Sequence, residues 1–229
     1  MVKNVIITGT SSGIGYELVK FFSNQGHNVL ALSRNSQPTE EINSSNIHSI
    51  SFDINNNSDH KLLVEYVSKN WDHVDILINN AGLLINKPFS ETTTEDFNNI
   101  YATNVFGVAA LINNMLPFAV KGTHVINISS VGGVQGSVKF SGLSAYSSSK
   151  GALISLTELL AEEYKNEGII FNVLALGAVQ TKMLEKAFPG YKASCSPKEM
   201  AKYIHDFSIN TNTVSKGRVI LVSDITPSR

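Results

Sequence analysis

Short β-branched apolar runs alternate along this chain with longer stretches whose apolar residues recur at helical spacing. Val5-Ile6-Ile7 is the first run and reads as a strand buried on both faces. Leu18, Val19, Phe21 and Phe22 then mark a helix that closes near Asn24-Gln25-Gly26, with Gly26 at its C-terminal cap. Asn28 to Ser33 reads as a second strand, and residues 35–46 as a polar connection with room for one short helix. Ile47 to Phe52 alternates into a third strand that ends at Asp53-Ile54. Ser58 is the expected N-cap of a helix carrying Leu62, Leu63, Tyr66 and Val67, and Asp75 to Ile78 is the fourth strand.

The second half continues the alternation. Thr94 or a neighbouring threonine starts a long helix through Phe97, Ile100, Val105, Val108 and Leu111 to about Leu116, where Pro117 ends it. His124 to Ile128 is the fifth strand, ending in Ser129-Ser130, and Val131 to Ser144 is a Gly- and Ser-rich loop. The helix after it carries Leu153, Leu156, Leu159 and Leu160 on its apolar side. Ile169 to Leu176 is a sixth strand, residues 182–196 read as irregular, Ser196-Pro197-Lys198-Glu199 starts a helix, and Arg218 to Val222 is the last strand. Strands alternating with helices in this way predict an α/β fold, a doubly wound sheet of about seven parallel strands flanked by helices. No repeat and no second hydrophobic unit interrupts it, so residues 1–229 are expected to form a single domain.

Composition changes this picture little. The chain has 229 residues, 42% hydrophobic and 16% charged, with net charge −1. A charge so near zero gives no electrostatic footprint for nucleic acid or an anionic membrane. The longest apolar runs, such as Val105 to Ile112, are far too short to span a bilayer. A single cysteine, Cys195, cannot form an internal disulfide, and the first strand leaves no room for a signal peptide. A cytoplasmic protein is the expectation. The six histidines are scattered without ligand spacing, so no metal site is expected.

The chemistry sits between the elements. Thr8-Gly9-Thr10-Ser11-Ser12-Gly13-Ile14-Gly15 joins a strand directly to a helix N-terminus. Glycines there let the backbone approach a pyrophosphate, and the free N–H groups of the first helical turn supply donors. The second strand ends in Ser33 and Arg34, a cation where an acid would favour NAD, which points to the 2′-phosphate of NADP. Tyr146 and Lys150 fall on one helix face, where a lysine charge would favour the phenolate of a tyrosine whose ordinary pKa is about 10. Asn104 lies mid-helix, a poor place for an amide that competes for backbone bonds, so a specific task is expected of it.

Thr8-Gly9-x-x-x-Gly13-Ile14-Gly15, Asp53, Asn79-Asn80-Ala81-Gly82, Asn104, Ser130 and Tyr146-x-x-x-Lys150 occur in that order on the expected elements. In this the chain resembles the short-chain dehydrogenase/reductase family of the small single-domain type, over nearly its whole length. The resemblance implies a Rossmann-like fold and a catalytic tetrad. Tyr146 would be the acid/base and Ser130 would polarise the substrate oxygen. Lys150 would hold the nicotinamide ribose and lower the Tyr146 pKa, and Asn104 would anchor a water leading from Lys150 to solvent. Gly9, Ser11, Ser12, Gly13, Ile14 and Gly15 would line the pyrophosphate, with Ser33 and Arg34 beyond. Asp53 and Ile54 would contact adenine, and Asn80, Ala81 and Gly82 the adenosine side. Gly177, Val179 and Thr181 would meet the nicotinamide end.

The implied activity is an NADP(H)-dependent hydride transfer between nicotinamide and a small carbonyl or alcohol substrate, in a homodimer or homotetramer assembled through the helices at 94–116 and 146–165. Alternatives are a β-ketoacyl-acyl-carrier-protein reductase, or a non-catalytic dinucleotide-binding regulator on the same fold. Three departures stand out. The Ser130–Tyr146 loop is longer than usual, which leaves Ser129 as a rival for the serine role. Leu176-Gly177 replaces the common Pro-Gly. The substrate loop, roughly 180–197, is short. Val131, Gln135, Phe140, Leu143, Leu184 and Phe188 are candidate pocket residues.

Overall fold

A computed structural model describes residues 1–210 and 217–222. In chain order the elements are β1 (Asn4–Thr8), α1 (Gly13–Asn24), β2 (Asn28–Ser33), α2 (Gln37–Glu40), β3 (Ile47–Ser51), α3 (Asn57–Asn70) and β4 (Val74–Asn79). Then come α4 (Thr94–Tyr101), α5 (Gly107–Met115), β5 (Ala119–Ser130), α6 (Ser144–Glu163), β6 (Ile170–Leu176), α7 (Lys182–Ala187), α8 (Pro197–Asn210) and β7 (Val219–Val222). The strands form one seven-stranded sheet in the order β3-β2-β1-β4-β5-β6-β7, and each pairing is parallel. Strand order reverses between β1 and β4, which opens a crevice outside the carboxyl ends of the central strands.

Both faces of the sheet are covered, which is why its strands read as continuous apolar runs. On one face Val5, Ile7 and Ile126 pack with Leu18 and Phe22 of α1 and with Met200 and Ile204 of α8. On the other, Ile6, Leu77 and Phe171 pack with Leu63 of α3, Leu111 of α5 and Leu153 of α6. A polar column crosses this second layer. Asn79 Nδ2 donates to Asn127 Oδ1 at 2.7 Å, Asn127 Nδ2 to Thr157 Oγ1 at 2.9 Å, and Thr157 Oγ1 to the Leu153 carbonyl at 2.6 Å. It joins β4, β5 and α6 through side chains that are almost wholly buried.

Four local expectations are corrected. The long helix at 94–116 is broken: a π-helical turn, Ala102–Phe106, separates α4 from α5, and Pro117 lies in a short 3₁₀ turn beyond. The helix start at α3 is capped by Asn56, whose Oδ1 accepts from Ser58 N at 3.0 Å, so Ser58 is inside the first turn. The fifth strand begins at Ala119 rather than His124. The segment read as irregular after Thr181 contains α7, capped by the Thr181 hydroxyl on Leu184 N at 3.2 Å.

His124 makes the fold acid-sensitive. Its ring is fully buried, with Nδ1 facing the Ser208 carbonyl at 3.2 Å and Nε2 facing Asn172 Nδ2 at 3.0 Å. Only the neutral ring with the proton on Nδ1 satisfies both partners. Burial brings its pKa down to about 4. The unfolded chain therefore binds this proton more tightly, and the stability held above pH ~6.5 is lost progressively towards pH ~4, by about 3 kcal/mol in all. Urea unfolding at several pH values is expected to show this decline, and His124→Asn to flatten it; an equal slope in the two proteins would contradict the assignment.

Candidate active site

The glycine-rich turn is fixed by close backbone approaches. Gly9 N–H donates to the Leu32 carbonyl at 2.8 Å, which sets the turn against the end of β2. Gly9 lies at φ +74°. A Cβ on Gly15 would fall 2.3 Å from the Gly9 carbonyl oxygen and 2.7 Å from Asn80 Nδ2. No side chain fits where the first turn of α1 crosses the strand end. Ser12 holds the N-cap position but makes no capping hydrogen bond. The first-turn N–H groups of α1 thus keep their capacity for an anion. Ser11, Gly13 and Ile14 remain partly accessible around it.

Thr8 carries the turn to the neighbouring strand end. Its Oγ1 accepts from Asn80 N at 3.0 Å and Ala81 N at 2.9 Å, while Asn80 Nδ2 donates back to the Thr8 carbonyl at 3.0 Å. A Cβ on Gly82 would lie 3.5 Å from Asn104 Oδ1 and 3.6 Å from Lys150 Nζ, so both heads border the space beside Gly82. Thr181 approaches from the opposite side, its methyl 3.4 Å from where a Cβ of Gly13 would be.

The candidate reacting groups come from β5 and α6. Ser130 ends β5, and its Oγ accepts from Gly132 N at 3.3 Å. The Ser130 hydroxyl is near enough to the Tyr146 phenol to favour its ionised form, whereas Ser129 spends its hydroxyl on the Lys150 carbonyl at 2.9 Å. That geometry favours Ser130 over Ser129 as the group facing the crevice. Lys150 is 4% exposed, donates from Nζ to the Ile128 carbonyl at 2.8 Å, and sits 5.8 Å from the centre of the Tyr146 ring.

Loss of solvent acts on both members of the pair. Tyr146 is pushed up to about 12, chiefly by desolvation, with the Ser130 hydroxyl opposing. Lys150 is brought down to about 8 by the same loss of solvent. Desolvation disfavours both charged forms, phenolate and ammonium, and so opposes the lowering of the phenol expected of the lysine charge.

Asn104 sits in the π-helical turn and is fully buried. Its Oδ1 accepts from Leu83 N at 2.7 Å, and its Nδ2 donates to the Leu83 carbonyl at 2.9 Å and to Ser149 Oγ at 3.0 Å. Both amide protons are engaged, so the side chain ties the chain after Gly82 to the helix of Tyr146 and Lys150. Single-turn π-bulges recur at functional sites.

The remaining predicted residues split. Arg34 is exposed just past β2, and its carbonyl accepts from Ser51 Oγ at 3.2 Å. Ser33 is buried and turns its hydroxyl onto the Asn35 carbonyl at 2.8 Å. Asp53 Oδ1 accepts from Asn55 N at 2.9 Å, in a carboxylate that stays partly accessible. Ile54 and Val179 turn their side chains into the core, leaving only their backbone for a ligand. Gly177 donates to the Val222 carbonyl at 2.9 Å at the strand ends. Of the pocket candidates, Leu143 is buried, Val131, Leu184 and Phe188 are half-buried, and Gln135 and Phe140 are exposed. Asn127, Ser149 and Thr157 emerge only here; an asparagine within the buried stretch of β5, Thr123 to Ser129, was the available signal for the first. Among the described residues, no group of His, Cys, Asp and Glu could hold a metal, and no helix is long and apolar enough to cross a membrane.

Comparison with known proteins agrees with this geometry. Residues 3–192 match the family model for short chain dehydrogenases. An uncharacterised oxidoreductase of Staphylococcus haemolyticus is 31% identical over 205 residues, 87% of each chain. The 2-(R)-hydroxypropyl-CoM dehydrogenase of Xanthobacter autotrophicus is 31% identical over 81% of this chain and 78% of its own. Among solved structures, a variant of ElxO with NADPH bound superposes with TM-score 0.86 at 28% identity, over 97% and 98% of the two chains. A 4-hydroxyisoleucine dehydrogenase complexed with NADH and succinate shares the fold, with TM-score 0.82 at 23% identity over 96% of this chain and 97% of that one.

Proposed function

The chain belongs to the short-chain dehydrogenase family, and on that premise we propose that it is an NADP(H)-dependent oxidoreductase acting on a small carbonyl or alcohol substrate. The observation that carries this reading is the convergence of Ser130, at the end of β5, with Tyr146 and Lys150 on α6, Lys150 Nζ lying 5.8 Å from the centre of the Tyr146 ring. Binding alone would not require Tyr146 and Lys150 together. Residues 1–229 are read as one dinucleotide-binding and catalytic domain, supported by a single sheet that runs from β1 to β7.

The residues present fit a dinucleotide. The uncapped first turn of α1 and the tight turn from Gly9 to Gly15 would receive its pyrophosphate, with Ser11, Ser12 and Ile14 alongside. Asp53, the backbone of Ile54, and Asn80 to Gly82 would line its adenosine side, Lys150 its nicotinamide ribose, and Gly177, Val179 and Thr181 the far end. When bound, the cofactor supplies or accepts the hydride at the substrate carbon. Tyr146 donates its phenolic proton to the carbonyl oxygen in reduction and takes it back from the alcohol in oxidation. Ser130 Oγ orients and polarises that oxygen. Lys150, held on the Ile128 carbonyl, keeps a positive charge beside the phenol. A phenol pushed up to about 12 stays protonated throughout the neutral range, which suits the donor role and so reduction. The Asn104 side chain positions Leu83 and Ser149, so a water leading from Lys150 would rest on the backbone of the π-helical turn.

The preference for NADP(H) rests on Arg34. Relatives and structural neighbours are described with NADH and with NADPH, so the choice is made by this chain's own residues. Arg34 is exposed past the end of β2, where a guanidinium can pair with a 2′-phosphate. Fluorescence titration is expected to show NADPH binding roughly tenfold or more tighter than NADH, with Arg34→Ala removing the difference. Equal or reversed affinities in the parent protein would refute the assignment. Exposed Phe106 beside α5 and Leu159 on α6 are apolar groups that a homodimer or homotetramer would cover.

A further inference from the structure

Three segments leave the crevice from its working corners and meet again beyond it. The chain after Gly82 starts beside Lys150 and Asn104, the loop after Ser130 leads round to Tyr146, and the chain after Thr181 starts against Gly13. Four residues past Gly82, Asn86 donates from Nδ2 to the carbonyl of Ala187, the last residue of α7, at 2.7 Å. Next to it, Lys87 N–H donates to the Gly142 carbonyl at 2.9 Å. Gly142 has φ +84°, and a Cβ there would fall 1.9 Å from Asn86 Oδ1. The Ser130–Tyr146 loop therefore presses its backbone against the Asn86 amide, and only glycine permits that.

The two walls are otherwise held from below. Leu83 is fixed by Asn104 at 2.7 and 2.9 Å, and Lys87 by the Asp96 carboxylate at 2.9 Å. The base of the segment carrying α7 is stapled: Gln180 N–H donates to the Cys195 carbonyl at 2.9 Å and Gln180 Oε1 accepts from Ala193 N at 2.7 Å. What ties the tip of α7 to the opposite wall is the Asn86–Ala187 bond. Asn86 is exposed, so core packing does not require its amide. A single neutral hydrogen bond at the surface is weak enough to open and reclose.

We propose that Asn86 is a specificity-determining latch whose bond to Ala187 closes the mouth of the crevice, confining the site to compact carbonyl substrates and excluding acyl groups carried on long thioester arms. This rests on the oxidoreductase reading above. Dimensions support it. The chain from Gly82 to Asn86 reaches at most roughly 13–14 Å, and a six-residue α7 spans about 9 Å. A ring bounded by segments of that length would admit a small molecule next to Tyr146 and oppose the passage of an extended arm.

The test compares ethyl acetoacetate with acetoacetyl-coenzyme A, which present the same ketone with and without a long arm. The parent protein is expected to favour the ester. Asn86→Ala is expected to raise kcat/KM for the thioester relative to the ester by about tenfold, mostly through a lower KM. Amide hydrogen exchange across residues 183–193 is expected to quicken in the same variant, and Gly142→Ala, which displaces the Asn86 side chain, to reproduce both effects. A parent protein that prefers the thioester, a substrate ratio unchanged by Asn86→Ala, or unchanged exchange would each overturn the latch. Failure to oxidise NADPH with any carbonyl would instead overturn the oxidoreductase reading, and the exchange measurement would still decide whether Asn86 closes the mouth.

Discussion

A Tyr146→Phe protein is expected to bind NADPH as the parent does and to reduce carbonyl substrates at least 10²-fold more slowly, with losses up to about 10⁴-fold. The substitution removes one oxygen. The ring keeps its volume, its place on α6 and the nearby Lys150 ammonium, 5.8 Å from its centre, so the crevice retains its shape. What disappears is the hydroxyl proposed as proton donor, the group whose ionised form Ser130 favours. The pH dependence of the parent protein adds a second check. Reduction needs the protonated phenol, which burial preserves up to about 12, so its rate is expected to hold level until Lys150 loses its charge near 8. Oxidation needs the phenolate, so its rate is expected to climb as pH rises. Steady-state rates in both directions, parent against variant, decide the matter; a variant with full activity would show that Tyr146 is not the acid/base.

Gly15→Ala is expected to weaken NADPH binding by more than tenfold and to lower stability by roughly 1–3 kcal/mol, the usual cost of overpacking. The added carbon would fall 2.3 Å from the Gly9 carbonyl oxygen and 2.8 Å from its carbon. Both atoms are backbone, in a residue held at 2.8 Å on the Leu32 carbonyl, so the turn cannot yield without leaving the end of β2. Any shift also reaches Asn80, whose Nδ2 lies 2.7 Å from the same point. The loss of affinity and the loss of stability thus come from one displacement. Thermal unfolding and fluorescence titration measure them separately, and parental affinity in a folded variant would show that the turn is not the pyrophosphate cradle.

Much of this was legible from the residues. Val5-Ile6-Ile7 and Val173 to Leu176 announce themselves because a parallel sheet buried on both faces needs apolar runs, and the glycine turn because its position between strand and helix is local. The family motifs then bring Ser130, Tyr146 and Lys150 to one edge. What stayed hidden depended on relations that spacing does not encode. The π-helical turn at Asn104 is a shift in hydrogen-bond register, invisible in a helical pattern that reads smoothly from Phe97 to Leu111. α7 is six residues long, too short to show a period, and is signalled only by the Thr181 cap. The direction of the Tyr146 pKa turns on how deeply two side chains are buried, which no motif states. Nothing local marks Asn86, because its partner, Ala187, lies 101 positions away.

The polar column through the sheet has a mechanical consequence. α6 is bolted to β5 at two of its residues: Thr157 to Asn127 at 2.9 Å, and Lys150 through its carbonyl to Ser129 at 2.9 Å and through Nζ to the Ile128 carbonyl at 2.8 Å. Those points are about 10 Å apart along the helix, and Tyr146 overhangs the nearer by about 6 Å. The overhang is shorter than the span between the bolts. Were α6 to tilt as a rigid lever about Lys150, a displacement at Thr157 would arrive at the tyrosine reduced to roughly six-tenths of its size, and on the opposite side. Such a lever would demagnify any shift of the sheet around Asn79 and Asn127 before it reached the phenol proposed as proton donor.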